Sequence, residues 1–300
     1  MDESASRPVT AVLWMVLTGI LFVGVTAVIK HVGSDLPAAE SAFLRYSLGL
    51  VFLIPMLKPM LRAGRNAKTL GLFAVRGLFH GLGMILWFYG MTRIPIAEVT
   101  AINYVSPVFI TIGAALFLGE KLAARRITAI AVALVGALII LRPGIREVSS
   151  GHLAMLGTSM LFAVSFLVAK AVSARAEPLA VVGMLSLGVT ICLTPFAIAV
   201  WVTPTLTQVG WMFVAACIAT FGHYTMTKAF MSAPMAVTQP VAFLQLIWAV
   251  LFGIAFFDEP ADIWVIVGGG TIMASISFMT WREAVLKRKS VTTTPDAVKL

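Results

Sequence analysis

The sequence predicts an all-α membrane protein of ten transmembrane helices, arranged as two inverted five-helix repeats. Three observations predict it. Hydrophobic residues make up 60% of the 300 residues and charged residues only 12%, where soluble domains run at about 45–50% and about 25%. The apolar residues gather in ten runs, most of them close to the roughly 20 residues that a helix needs to cross a bilayer. The second half of the chain also repeats the first in register.

The runs follow in order, cut at charge clusters and at Pro/Gly turns. Thr10 to Ile29 closes at Lys30. Ala38 to Leu57 opens behind Pro37 and closes at Lys58. Leu70 to Met91 lies between the Arg62–Lys68 basic cluster and Arg93. Ile96 to Leu118 opens behind Pro95 and closes at Gly119-Glu120-Lys121. Ile127 to Leu141, the shortest, ends at Arg142-Pro143-Gly144. Gly151 to Ala171 closes before Arg175, and Leu179 to Val202 opens behind Pro178. Val209 to Phe230 leads to Ala236 to Phe257, which opens behind Pro234 and closes at Asp258-Glu259-Pro260. Ile263 to Trp281 ends at Arg282. The first ten residues carry Asp2 and Glu3 before Arg7 and do not read as a cleavable signal. Residues 284–300 read as a polar cytoplasmic tail.

This composition excludes a soluble globular domain, a disordered chain and a disulfide scaffold. An outer-membrane barrel is excluded too, because its alternating strands dilute hydropathy. Cys192 and Cys217 sit inside apolar runs and read as small packing residues. No metal or redox spacing is present, and no cofactor is expected. The net charge of +9 follows from topology. With a cytoplasmic N-terminus, fourteen Lys and Arg residues fall on inside segments, against Lys30, Arg93, Arg142 and Arg146 outside. Positive residues stay inside, so both termini are expected in the cytoplasm. No basic-aromatic patch points to nucleic acid. No metalloprotease, nucleophile-elbow or phosphate-loop motif supports an enzyme.

The repeat has one register. Ile94-Pro95-Ile96-Ala97 is answered by Ala233-Pro234-Met235-Ala236, and Phe117-Leu118-Gly119-Glu120 by Phe256-Phe257-Asp258-Glu259, both at an offset of 139. Leu21-Phe22 and Lys30 match Leu161-Phe162 and Lys170 at an offset of 140. Residues 10–142 and 151–283 are thus read as two copies of one unit. Five spans per unit is odd, so the second copy enters the membrane from the opposite side. Such inverted repeats let one unit rock against the other around a midplane site.

These units, each with a Pro-x-Ala turn opening its fourth span and an acid closing it, resemble the EamA family of the drug/metabolite transporter superfamily. The resemblance runs from about Val12 to Glu283 and is strongest over Tyr89–Gly144, which holds IPIAEVTAINYVSPVFITIGAALFLGEK and IILRPG. It implies a multi-pass protein of the bacterial inner membrane, with a central cavity lined by the first, third, fourth, sixth, eighth and ninth spans. Family members move amino acids, purines, vitamins such as riboflavin, S-adenosylmethionine and metallophores. The second copy departs from the pattern, with Asp258-Glu259-Pro260 where Gly119-Glu120-Lys121 stands.

Candidate site residues come from polar groups placed inside spans. Asn103 and Ser106 share a face of the fourth span, and Gln245 and Trp248 occupy the equivalent face of the ninth. Neutral polar groups in hydrocarbon must face protein or a wet cavity. Packing between helices and lining of a cavity both satisfy that demand. The third span carries His80 and Trp87 on one face, the eighth carries His223, and Tyr104 adds a ring with a polar end. Arg45 and Glu98 lie at similar depths and are candidates for an ion pair, or for two side chains reaching the outer surface. Arg76 is expected to reach toward the cytoplasmic surface. Glu120 and Glu259 are expected to serve free N–H groups of following helices. This set lacks the buried Arg/Lys cluster that a phosphate or dicarboxylate requires. Amides and aromatic faces suit a planar, hydrogen-bonding ring. A vitamin such as riboflavin is therefore the expected substrate, with amino acids second. The other expected partners are membrane lipid and, as a candidate coupling ion, a proton carried by His80 or Glu98. A channel and a non-transporting scaffold are the rival classes.

Overall fold

The computed structural model describes residues 8–33, 35–64, 66–118, 124–145, 147–173, 175–232, 238 and 241–291. All of its regular elements are helices. They are α1 (Pro8–Val32), α2 (Ala38–Gly49), a 3₁₀ stretch (Leu50–Met56), α3 (Leu57–Ala63), α4 (Ala67–Met91), α5 (Ile96–Asn103), α6 (Ser106–Leu118), α7 (Ala124–Leu141), α8 (Ser150–Ser173), α9 (Pro178–Ala199), α10 (Leu206–Ser232), α11 (Gln245–Phe257) and α12 (Ile263–Val291). Among the described residues, eight stretches are long and apolar enough to cross a membrane: Val9–Val32, Ala38–Ala63, Ala67–Met91, Ile96–Leu116, Ser150–Ala169, Leu179–Ala199, Leu206–Met226 and Ile263–Arg282. Two further apolar helices, Arg126–Leu141 and Gln245–Phe257, are shorter.

Local chemistry sets the ends. The Asn66 side chain accepts the Thr69 N–H at 3.1 Å and caps α4. Pro178 opens α9, where its missing N–H costs nothing. α11 stops at Asp258, in the left-handed region with φ 52°. The prolines inside spans act differently from one another. Pro55 sits in the 3₁₀ stretch, whereas Pro195 lies inside a continuous α9. Pro107 occupies the first turn of α6.

The helices pack in a symmetric set of pairs. α1 lies on α10 and α4 on α8; α2 lies on α9, and α7 on α12. Two crossings are tight enough to require glycine. A Cβ on Gly77 would come within 2.9 Å of the Gly188 backbone, which brings α4 onto α9. A Cβ on Gly136 would lie 2.7 Å from the Gly268 carbonyl, which brings α7 onto α12. Gly270, in contrast, faces open space. Large apolar side chains such as Leu13, Leu116, Leu138, Phe196 and Phe278 stand exposed around the outside, as lipid contact demands.

One end of the molecule is clamped by charge. Lys30, at the end of α1, pairs with Glu259 and donates to the Ile94 carbonyl at 2.9 Å. Glu259 accepts the Ile96 N–H at 2.8 Å, so it serves the first turn of α5. The sequence reading expected this acid to serve the helix that follows it. Its repeat partner Glu120 lies outside the described residues. Beside this clamp, His152 of α8 meets Glu98 of α5 at 2.5 Å. The Ser149 N–H donates to His152 Nδ1 at 3.0 Å. Nδ1 is therefore an acceptor, and the ring offers its Nε2–H to Glu98. Arg142 pairs with Asp262 nearby.

Two outcomes test this packing. Gly136→Ala should cost about 1–3 kcal/mol, since a buried methyl has nowhere to go, while Gly270→Ala leaves thermal unfolding in detergent unchanged. Equal behaviour of the two would contradict the close crossing. Lys30→Met and Glu259→Gln should each lower the unfolding midpoint, and the double variant should recover part of the loss. A coupling of about 0.5–3 kcal/mol in that cycle is expected; additive losses would mean that the clamp does not hold.

Candidate functional site

The fourth span is broken at its middle. Pro107 has no N–H to give the Asn103 carbonyl, so the α-helical ladder fails there. The chain turns instead through tighter bonds, Tyr104 N–H to Ala101, Val105 N–H to Ile102 and Val108 N–H to Val105, at 2.9–3.2 Å. Asn103 ends α5 and Ser106 begins α6. The Ser106 hydroxyl is buried and donates to Asn103 Oδ1 at 3.4 Å.

The ninth run has a break of its own. Leu244 N–H bonds Val241, Leu246 N–H bonds Phe243 and Ile247 N–H bonds Leu244, at 2.9–3.1 Å, and Gln245 begins α11. At the repeat offset, Tyr104 corresponds to Phe243 and Ser106 to Gln245. The two breaks touch. The Tyr104 hydroxyl donates to the Phe243 carbonyl at 3.4 Å, and the two rings meet edge to face at 5.2 Å.

Beside the breaks runs one face of α1. A Cβ on Gly19 would touch both Gln245 and the Trp248 ring at 3.5 Å. Three residues on, Phe22 meets the His223 ring edge to face at 5.1 Å. The same helix pair is joined by a buried Thr18–Thr225 hydrogen bond at 2.9 Å. α1 thus connects the amide and indole groups of α11 to the histidine of α10. Trp248 Nε1 is buried without a hydrogen-bond partner among the described residues.

The third cluster lies where α4 meets α2, α8 and α9. His80 stacks on Phe162 at 4.6 Å and shares a 3.3 Å hydrogen bond with Ser165. Arg76 is 8% exposed and donates to the Val181 carbonyl at 3.0 Å. The Arg45 guanidinium lies 4.4 Å over the Tyr46 ring. Trp87 shares the helical face of His80 and packs edge-on to Phe88 at 5.7 Å.

Three sequence expectations change here. The Arg45–Glu98 pair does not form: Glu98 lies in the first turn of α5, against the start of α8, and His152 takes it. Arg76 does not reach for the surface, because α9 covers it. Buried guanidinium nitrogen also lies inside the bundle, at Arg45 and separately at Arg76, where a neutral set was expected. Sequence reasoning passed over Gly19, Phe22, Tyr46, His152 and Ser165. His152, whose partner lies in another span, stands in no local pattern that would have found it.

Comparison with known proteins completes the picture. The chain matches the EamA-like transporter family twice, over residues 9–142 and 149–281. A riboflavin transporter of Rhizobium johnstonii is 29% identical, covering 95% of both chains. A riboflavin transporter of Vibrio cholerae is 27% identical, covering 94% of this chain and 97% of its own. A pseudopaline exporter of Pseudomonas aeruginosa is 26% identical, covering 89% of this chain and 94% of its own. One solved crystal structure has the same fold, with a TM-score of 0.57 at 16% identity, covering 88% of this chain and 95% of that one. This chain is a multi-pass, small-molecule membrane transporter and not an enzyme, and it belongs to the EamA-like transporter family.

Proposed function

We propose that the protein is a secondary transporter that moves a small polar metabolite across the bacterial inner membrane by alternating access. In this reading, residues 10–142 and 151–283 are two inverted five-helix units, the short helices α7 and α11 complete ten spans, and both termini are cytoplasmic. The observation that carries it is the meeting of two helix breaks at repeat-equivalent residues, Tyr104 and Phe243. Broken helices at the repeat interface are where such transporters hold their substrate. The packing supports the same symmetry. Exchanging the halves turns the α1–α10 contact into the α8–α4 contact, and it maps the α2–α9 and α7–α12 contacts onto themselves.

The substrate in this reading is a planar, hydrogen-bonding vitamin such as riboflavin. Two full-length relatives carry the name riboflavin transporter. The rings of Trp87, Tyr104 and Trp248 offer stacking faces, and Asn103 and Gln245 offer amides. An amino acid or another metabolite, exported rather than imported, is the second reading, supported by the pseudopaline exporter among the relatives.

Growth of a riboflavin-auxotrophic bacterium without its own uptake system tests the substrate. The intact protein should restore growth on low riboflavin. Trp248→Ala or Asn103→Ala, at normal membrane abundance, should raise the half-saturating concentration about tenfold, equivalent to about 1.4 kcal/mol. No rescue by the well-expressed intact protein overturns riboflavin import. The topology has its own check: a reporter active only outside the cytoplasm, fused to the C-terminus, should stay silent.

A further inference from the structure

Two carboxylates are buried among the described residues, Glu40 at 0% exposure and Glu98 at 3%. They are held differently. Glu98 meets His152 of another helix. Glu40, in the first turn of α2, has no basic side chain within salt-bridge distance among the described residues. Its Oε2 accepts the Val202 N–H at 2.9 Å. Its Oε1 is buried without a hydrogen-bond partner among the described residues.

Val202 belongs to the connection 201–205, which joins α9 to α10 and carries no helical ladder. Three residues along α2 the same connection is fastened again, where the Trp201 ring meets Phe43 edge to face at 6.4 Å. The connection belongs to the second half of the chain and α2 to the first. Together with α9 and α10, which pack on α2, it closes the Glu40 carboxyl group off from water. The charged surroundings do not offset this burial. α9, the connection and α10 as far as Gly222 contain no acidic or basic residue, and neither does the 3₁₀ stretch. On α4, Arg76 donates to the Val181 carbonyl and His80 bonds Ser165; just past it, Arg93 lies over the Tyr89 ring. On α1, Lys30 pairs with Glu259 and His31 meets Trp211. Arg45, on α2 itself, lies over Tyr46.

The N-terminal dipole of α2 favours negative charge at Glu40, but a carboxylate ion taken out of water needs more than one N–H donor. A neutral acid needs less: Oε2 is then its carbonyl oxygen and Oε1 carries the proton. We propose that Glu40 is a proton-operated latch on this end of the transporter. While the 201–205 connection covers it, the side chain is a carboxylic acid. When the connection lifts, the Oε1–H bond breaks, its electron pair stays on the carboxylate, and the proton passes to water. The inference rests on the alternating-access reading, in which this end faces outward and opens once per cycle. Each opening releases one proton and each closing takes one up. Acid outside therefore favours the closed form, and alkali the open one.

Two measurements on the purified full chain test the latch. Neither uses a substrate, so failure of the riboflavin rescue leaves both standing, and failure of the latch leaves the transporter reading standing. The first is infrared spectroscopy at neutral pH. The wild type should show the C=O stretch of an undissociated carboxylic acid that Glu40→Gln lacks; identical spectra overturn the proposal. The second is hydrogen exchange at the Val202 amide across a pH series, corrected for the intrinsic rate of an open amide. Above the ordinary carboxylate range, the wild-type opening constant should rise about tenfold per pH unit, as loss of one proton on opening requires. Glu40→Gln keeps an oxygen for the Val202 N–H and cannot ionise, so its profile should stay flat. A flat wild-type profile overturns the latch. So does a glutamine variant that opens more readily than the wild type at alkaline pH, because the ionised carboxylate would then be the better acceptor. The wild-type slope decides alone where the variant fails to fold.

Discussion

Inside hydrocarbon, a peptide N–H or C=O that loses its helical partner has no water to replace it, at a cost of roughly 2–7 kcal/mol. A membrane helix can therefore be interrupted only where protein or a wet cavity receives the freed groups. In this chain the breaks of the fourth and ninth apolar runs fall at one place. The α5–α6 break supplies Tyr104, and the break before α11 supplies the carbonyl that accepts its hydroxyl. Each irregular turn is the other's neighbour. The polar side chains that follow, Asn103, Ser106 and Gln245, share that position because it is where polar atoms are tolerated. α1 then packs its Gly19 against this region, since a larger residue there would lie against Gln245 and Trp248.

Charge is divided between two tasks. At one end, Lys30, Glu98, Arg142, His152, Glu259 and Asp262 satisfy one another and helix termini. These contacts join the first half of the chain to the second, through α1, α5, α7 and α8. Deeper in the bundle the partners are of another kind: Arg76 donates to a carbonyl, His80 shares a hydrogen bond with a hydroxyl and stacks on Phe162, and Arg45 lies over an aromatic face. Ion pairs that hold helices together and cations left without acids are different objects, although hydropathy scores them alike.

The eight long apolar helices were legible because hydropathy sums over some twenty residues and tolerates error at any one of them. The break at Asn103 was half legible. Pro107 announces a missing hydrogen bond, but Leu246 stands at the equivalent place in the second copy and announces nothing. The rotation of each helix about its axis was not legible. Arg76 reads as a residue near a span end, and only the approach of Gly188 to Gly77 shows that α9 covers that face. Arg45 and Glu98 sit at matching depths along the chain, yet depth does not place two helices side by side. His152 was hidden for the opposite reason: its partner is 54 positions away, in another span, where no local pattern points to it.

The 3₁₀ stretch at Leu50–Met56 acts as a phase shifter in the second span. Seven residues wound at three per turn advance about 140° further than the same residues in an α-helix, and they run about 3.5 Å longer. α3 therefore leaves the stretch with a different side turned inward from the one an unbroken helix would present. Met60 uses that side: it is buried, with its sulfur close against the space that a Cβ on Gly183 of α9 would take. A single span can in this way keep one neighbour, α9, in contact with both its halves, α2 before the change of pitch and α3 after it.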